Sequence, residues 1–244
     1  MIGIVVVSHS EPLASAALDL ALEMVQDAPP PIALAAGTGD GGTGTDAMRV
    51  SEAILSVDGP DGVLVLMDLG SAVLSAEMAL EFAEAAGEVR LSPAPLVEGL
   101  VAAVVRAAGG ASLDEVDREA RSAASAKAEQ LGGDGGISEP AESSGASDAD
   151  SADQRLTMVV TLVNEVGLHA RPAGMLVKAA NDVDATVEVA ANGRGPVDAK
   201  SVMGLMTLGA ARGTELTVTA SGPDARRALD AIRELVEDGF GEDR

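Results

Sequence analysis

Two kinds of apolar pattern divide the chain. Residues 2–7 and 62–67 read Ile-Gly-Ile-Val-Val-Val and Gly-Val-Leu-Val-Leu-Met, with no polar position in either. Such runs suit strands buried on both faces of a parallel sheet. Around them, apolar residues recur at helical spacing over 12–25, 71–85, 95–108 and 113–131. Another helix is predicted up to about residue 56, opened by Thr45 or Asp46 as its cap. Shorter strands are predicted at 31–36 and 88–91. Repeated strand–helix units predict an α/β fold: an open, mostly parallel, doubly wound sheet with helices on both faces. From residue 156 the pattern changes. Segments 156–163 and 215–220 alternate like half-exposed strands. Short strands at 186–189 and 195–198 are interleaved with helices at 172–181, 201–208 and 223–237. That order predicts an α+β open-faced sandwich, an antiparallel sheet with helices on one face.

The stretch between the two patterns, residues 132–153, carries one large apolar side chain, Ile137, six acids and no base. It cannot bury enough apolar area to offset its ordering entropy, so a flexible acidic linker is predicted there. The predicted organisation is a domain at 1–131, the linker at 132–153 and a second domain at 154–244. Charge is unevenly shared. The net charge of −23 is made of −14 in the first domain, −6 in the linker and −3 in the second domain. A chain this acidic repels phosphate backbones and anionic membranes, which argues against a nucleic-acid or membrane partner. Nothing in the chain reads as a membrane span, and the first residues read as a strand and not as a signal peptide. A cytoplasmic location is the expectation. Cysteine is absent, which removes disulfides, thiolate metal sites and cysteine nucleophiles together.

Histidine is then the informative residue type, because the chain has only His9 and His169 and imidazole is the side chain whose unperturbed pKa lies near neutrality. His9 follows the first predicted strand and Asp68 follows the strand at 62–67. If those strands are neighbours, the two side chains emerge together at the carboxyl edge of the sheet, where ligands bind in such folds. A carboxylate there fixes one ring N–H and leaves the other nitrogen as nucleophile or base. Gly70 and Ser71 then open a helix whose N–H groups can face an anion. The bland alternative is a polar strand end and a turn residue. No Gly-x-Ser-x-Gly elbow accompanies Ser8 or Ser10, and no cluster of metal ligands is evident, so neither cofactor nor metal is expected. The loop Gly-Thr-Gly-Asp-Gly-Gly-Thr-Gly-Thr-Asp at 37–46 lacks the lysine of a phosphate-binding P-loop. It reads more simply as a connection, with a rim role beside His9 left open.

His169 lies in Gly-Leu-His-Ala-Arg-Pro-Ala. Pro172 suits a first helical turn, which places His169 near the N-cap. The helix terminus there favours a phosphate on the imidazole, and Arg171 adds a fixed cation. The alternative is a capping histidine beside a solvated arginine. Ser201 is predicted to cap the next short helix, with regulatory phosphorylation as the sharper alternative.

The strings GLHARPA, AKSVMGLMTLGA, a Gly-x-Glu-Leu strand and SGPDARRALDAIRELVEDGFGE resemble the histidine-containing phosphocarrier (HPr) family of the phosphoenolpyruvate-dependent phosphotransferase system. The resemblance covers residues 156–242. It implies that His169 accepts phosphate at Nδ1 with support from Arg171, that enzyme I is the donor, and that Ser201 stands at the family's regulatory serine. The first domain resembles mannose-type enzyme IIA. Its strings IVVVSHS, AAG…GTDA, VLVLMDLGSAVLSAEMALE and RLSPAPLVEGLVAAVV are closest to the phosphotransfer subunits of phosphotransferase-dependent dihydroxyacetone kinases. That resemblance implies phosphorylation of His9 on Nε2, with Asp68 orienting the ring. It also implies nucleotide-binding and dihydroxyacetone-binding kinase subunits as partners, and a homodimer through the first domain. Some members add an enzyme I-like domain, so phosphate is expected here from a separate enzyme I.

The expectation is therefore a phosphotransferase relaying phosphoryl groups from enzyme I to His169, then His9, then ADP on the kinase. Its rivals are a sugar-uptake component serving a mannose-type permease and a regulatory module that uses phosphorylation as a signal. A histidine-dependent hydrolase is a more distant one.

Overall fold

The computed structural model describes residues 1–25, 28–130 and 155–242. The segment predicted as a linker lies outside the described residues.

The first domain follows the order β1 (Gly3–Ser8), α1 (Glu11–Leu22), β2 (Ile32–Ala36), α2 (Ala47–Val57), β3 (Val63–Met67), α3 (Gly70–Leu80), β4 (Val89–Ser92), α4 (Leu96–Ala108) and α5 (Leu113–Gln130). The strands pair in parallel, in the order β2-β1-β3-β4. Every residue of β1 is buried. Its alternate side chains divide between two cores, as the two-residue strand period requires. Val5 and Val7 pack with Val50, Ile54, Ala72 and Ala76 of α2 and α3. Ile4 and Val6 pack on the other face with Ala14, Ala17, Leu100 and Val104 of α1 and α4. Because the chain moves from β1 to one side for β2 and to the other for β3, the sheet has its switch point between β1 and β3.

Most element boundaries fall within two residues of those read from the sequence. Helix α1 ends at Leu22, three residues short of the predicted 25, and helix α3 departs furthest. It stops at Leu80 and not near residue 85, although residues 81–85 have good helix-forming side chains. A tertiary contact takes precedence over propensity there: Asp58, at the end of α2, accepts the backbone N–H groups of Ala86 and Gly87 at 2.6 and 3.1 Å. These bonds hold its carboxyl below the usual range.

The second domain contains β5 (Leu156–Thr161), α6 (Ala170–Asn181), β6 (Thr186–Ala191), β7 (Arg194–Asp198), α7 (Val202–Thr207), β8 (Glu215–Ser221) and α8 (Ala225–Glu237). Its antiparallel sheet has the order β5-β8-β6-β7. Met158 and Val160 alternate with exposed Thr157, Val159 and Thr161 along β5. The buried stripe Ala225, Ala228, Leu229, Ile232 and Val236 of α8 covers that core. Helix α6 begins at Ala170, two residues ahead of Pro172. Proline is harmless there, because the N–H it lacks has no intrahelical acceptor in a first turn. No helix among the described residues is long and apolar enough to cross a membrane.

Candidate functional site

Strands β1 and β3 are adjacent and in register, with Val7 opposite Met67. The next residues along therefore bring His9 and Asp68 together at the switch point. Asp68 is held from four directions. His9 Nδ1–H donates to its Oδ1 at 2.8 Å, and the Leu69 backbone N–H donates to the same oxygen at 2.7 Å. Its Oδ2 accepts from the His9 backbone N–H at 2.8 Å and from the buried Ser8 hydroxyl at 2.9 Å. Burial pushes the Asp68 carboxyl upward. The bonds from the His9 backbone and ring, the Ser8 hydroxyl and the Leu69 backbone outweigh it, and the carboxyl lies below its usual range. The ring tautomer follows from this network: with the proton on Nδ1, the lone pair is on Nε2. The Ser71 hydroxyl donates to that nitrogen at 2.6 Å.

Ser71 is the second residue of α3, whose first N–H groups at Gly70 and Ser71 lack intrahelical acceptors. This lone pair thus faces a helix N-terminus able to take an anion. The side-chain roles of Ser8 and Ser71 carry no sequence signal of their own, because a serine beside a histidine or in a first helical turn is commonplace. The glycine-rich loop is built into the same rim. Gly44 N–H donates to the His9 carbonyl at 2.9 Å and Gly37 N–H to the Ser8 carbonyl at 3.1 Å. Arg49 secures its base through the carbonyls of Ala36 and Gly37. Asp46 caps α2.

His169 is the N-cap residue of α6. It follows Gly167, whose φ of +79° favours glycine; a Cβ there would lie 2.4 Å from the Ala210 carbonyl oxygen. The Leu168 N–H donates to that same carbonyl at 2.8 Å, which ties the turn to the segment that follows α7. His169 Nε2–H donates to Glu242 Oε1 at 2.9 Å, so the lone pair sits on Nδ1. Glu242 Oε2 in turn accepts from the buried Asn164 amide at 2.9 Å, and that amide also donates to the Gly167 carbonyl. Glu242 reaches the ring because Phe240 is buried in the core within the short turn Gly239–Gly241. Sequence reasoning missed Glu242: it is 73 residues from His169 and belongs to no periodic pattern. Arg171 is exposed at the second position of α6. The first turn leaves N–H groups at Ala170 and Arg171 for an anion on Nδ1.

Ser201 caps α7, accepting from the Gly204 N–H at 2.9 Å, and its own hydroxyl donates to Glu119 at 2.7 Å. Its capping role is as the sequence indicated.

The chemical content is two imidazoles with opposite polarity. Asp68 ties down Nδ1 of His9 and presents Nε2. Glu242 ties down Nε2 of His169 and presents Nδ1. Each exposed nitrogen stands at a helix N-terminus, and each carboxylate stabilises the positive charge that forms when the other nitrogen acquires a substituent. Replacing Glu242 with Gln exchanges a charge-assisted bond for a neutral one, a difference of about 1.4 kcal/mol or tenfold. Glu242→Gln is therefore expected to slow phosphorylation of His169 by about tenfold, measured by rapid-quench single turnover.

Comparison with known proteins matches this geometry in two parts. A family profile described as PTS system fructose IIA component matches residues 3–117, and one described as PTS HPr component phosphorylation site matches residues 156–238. The chain is 42% identical over 249 residues to the PEP-dependent dihydroxyacetone kinase, phosphoryl donor subunit DhaM, of Escherichia coli K12, covering 99% of this chain and 51% of that protein. It thus spans about half the length of that relative. A shorter relative, the PEP-dependent dihydroxyacetone kinase 2, phosphoryl donor subunit DhaM, of Listeria innocua, is 36% identical over 121 residues and is covered to 96%. The phosphocarrier protein HPr of Cupriavidus necator is 43% identical over 82 residues and covered to 91%.

Proposed function

Since the chain belongs to the DhaM family of phosphoryl donor subunits and carries an HPr-type domain behind its IIA-type domain, we propose that it is a two-histidine phosphoryl relay. Residues 1–131 and 154–244 are its two working domains, and residues 132–153 are the tether between them. The phosphohistidine of a separate enzyme I gives its phosphoryl group to Nδ1 of His169. The donor P–N bond breaks as the new one forms, and Glu242 balances the resulting imidazolium. Arg171 and the first turn of α6 hold the phosphate oxygens. Nε2 of His9 then attacks the phosphorus. His169 leaves as neutral imidazole with Nε2–H in place, and Asp68 balances the charge on His9. No proton needs to be delivered in either exchange. ADP held by a nucleotide-binding kinase subunit takes the group from His9 and becomes ATP. That ATP serves the dihydroxyacetone-binding subunit, in the cytoplasm.

One observation carries this reading: two carboxylates fix the two histidines through opposite ring nitrogens. A homodimer through the first domain is part of the proposal. Exposed Leu69, Leu74, Met78 and Phe82 on and beside α3 support it. The test combines the chain, phosphoenolpyruvate, enzyme I and the two kinase subunits with dihydroxyacetone. His169→Ala is expected to stop formation of dihydroxyacetone phosphate, and added free phosphocarrier protein is expected to restore it. Phosphorylation of both histidines with no product would refute the kinase reading and favour a sugar permease or a signalling target.

A further inference from the structure

The second domain rests on the α4–α5 face of the first, and polar contacts fasten it there. Glu119 of α5 accepts the Ser201 hydroxyl at 2.7 Å and the Met203 backbone N–H at 3.2 Å, across 82 and 84 residues of sequence. Arg106 of α4 donates to the Lys200 carbonyl at 3.0 Å and to Glu115 at 3.3 Å. Below this clasp α6 lies against the ends of two helices. The Met24 carbonyl oxygen stands 3.0 Å from where a Gly174 side chain would begin, and Gly109 abuts Asn181. The apolar core of one domain runs into that of the other. The seam is incompletely filled: a cleft of about 960 Å³ stays open among Met24, Val105, Met175 and Leu235. Domain interiors are packed more tightly than that, so the contact has the character of a separable interface.

The resting position also faces the wrong way for transfer. Helix α1 begins two residues after His9 and runs for 12 residues, about 18 Å. Met24 and Gly109, where α6 makes contact, follow the far ends of α1 and α4. His169 is five residues from Gly174, about 7.5 Å of helix and less than half the length of α1, so this contact places the start of α6 toward the end of the first domain away from His9. Transfer needs the attacking nitrogen about 3–3.5 Å from phosphorus.

We propose that this contact is a parking site for the carrier domain, latched by Glu119 on Ser201 and the start of α7, and that the carrier must leave it before His169 can serve His9. The part concerning transfer rests on the relay reading above; the latch itself does not. A negative charge at position 201 faces the Glu119 carboxylate and opens the latch. Asp is itself a good N-cap, so Ser201→Asp keeps α7 capped while repelling Glu119.

The experiment uses the full chain. It has no cysteine, so thiols introduced by Glu81→Cys and Glu215→Cys, at exposed positions of the two domains, accept spin labels specifically. Pulsed electron–electron distance measurement is expected to give one narrow distance in the otherwise unaltered chain. It should become a broad distribution in Glu119→Ala and in Ser201→Asp, and narrow again when Ser201→Asp is combined with Glu119→Lys. Single-turnover transfer from phosphorylated His169 to His9 is expected to rise about tenfold in the open variants, the worth of one charge-assisted bond, and to fall back in the combined variant. A broad distance in the unaltered chain overturns the proposal. So does a narrow distance that survives both substitutions, or transfer that slows when the latch opens. If no variant passes phosphate to His9, the relay reading fails and the distances alone judge the latch.

Discussion

With His9 replaced by alanine, phosphoryl transfer to the kinase acceptor is expected to stop while enzyme I still phosphorylates His169. The reason is local. Nε2 of His9 is the nitrogen presented at the switch point of the sheet, against the Ser71 hydroxyl and the start of α3, and no other side chain there offers a comparable nucleophile. Ser8 is buried and spends its hydroxyl on Asp68. Loss of an attacking group that has no substitute costs on the order of 10⁶-fold in rate. Stability should change little by comparison. Asp68 keeps its bonds to the two backbone N–H groups and to Ser8, and the lost ring bond is worth about 1.5–3 kcal/mol. Radiolabelled phosphoenolpyruvate with acid-labile phosphate counting checks both halves: His9→Ala retains one labelled histidine and yields no labelled product.

The second large effect is expected at Asp68. In Asp68→Asn the amide brings its own donors into a site already supplied with four. The His9 ring loses the acceptor that holds its proton on Nδ1. The proton then resides on Nε2, the nitrogen that must attack. A histidine held in the wrong tautomer by this same substitution lowers turnover by about 10⁴ in Ser-His-Asp enzymes. A fall of about 10³- to 10⁴-fold in His9 phosphorylation is expected here, with His169 unaffected. Acidity provides an independent check. Burial raises the Asp68 pKa, the four hydrogen bonds together lower it by more, and the folded value lies below the ordinary 3.8. A depressed folded pKa adds stability that is fully present above the unfolded value and is lost as pH falls through the folded one. The unaltered first domain should therefore lose stability on acidification below about pH 5 more steeply than Asp68→Asn. Thermal unfolding across that range measures the slope, and equal slopes would contradict the network described for Asp68.

The sequence made the His9 site legible and left much of the His169 site hidden, for physical reasons. Two uninterrupted apolar runs read as buried parallel strands, and their pairing side by side in register brings the residues that follow them together, although His9 and Asp68 are 59 positions apart. Glu242 gave no such signal. It reaches His169 because one phenylalanine turns the chain end into the core, and a single buried side chain leaves no periodicity to read. The same holds for Glu119, an exposed-looking acid on an alanine-rich helix that meets Ser201 only through packing between domains. Helix α3 looked longer than it is because its end is set by Asp58 from another helix. Strands and helix faces follow from neighbours in sequence, whereas the hydrogen bonds that select a ring nitrogen come from partners far along the chain.

The relay stands or falls on which ring nitrogens carry phosphate. Long-range proton–nitrogen correlation spectra of the ¹⁵N-labelled chain, phosphorylated with phosphoenolpyruvate and enzyme I, assign them directly. The expected result is Nδ1-phosphohistidine at His169 and Nε2-phosphohistidine at His9, both discharged on addition of the ADP-loaded kinase subunit. Phosphate on Nδ1 of His9, or a His9 that stays unmodified while His169 is charged and discharged, would contradict it.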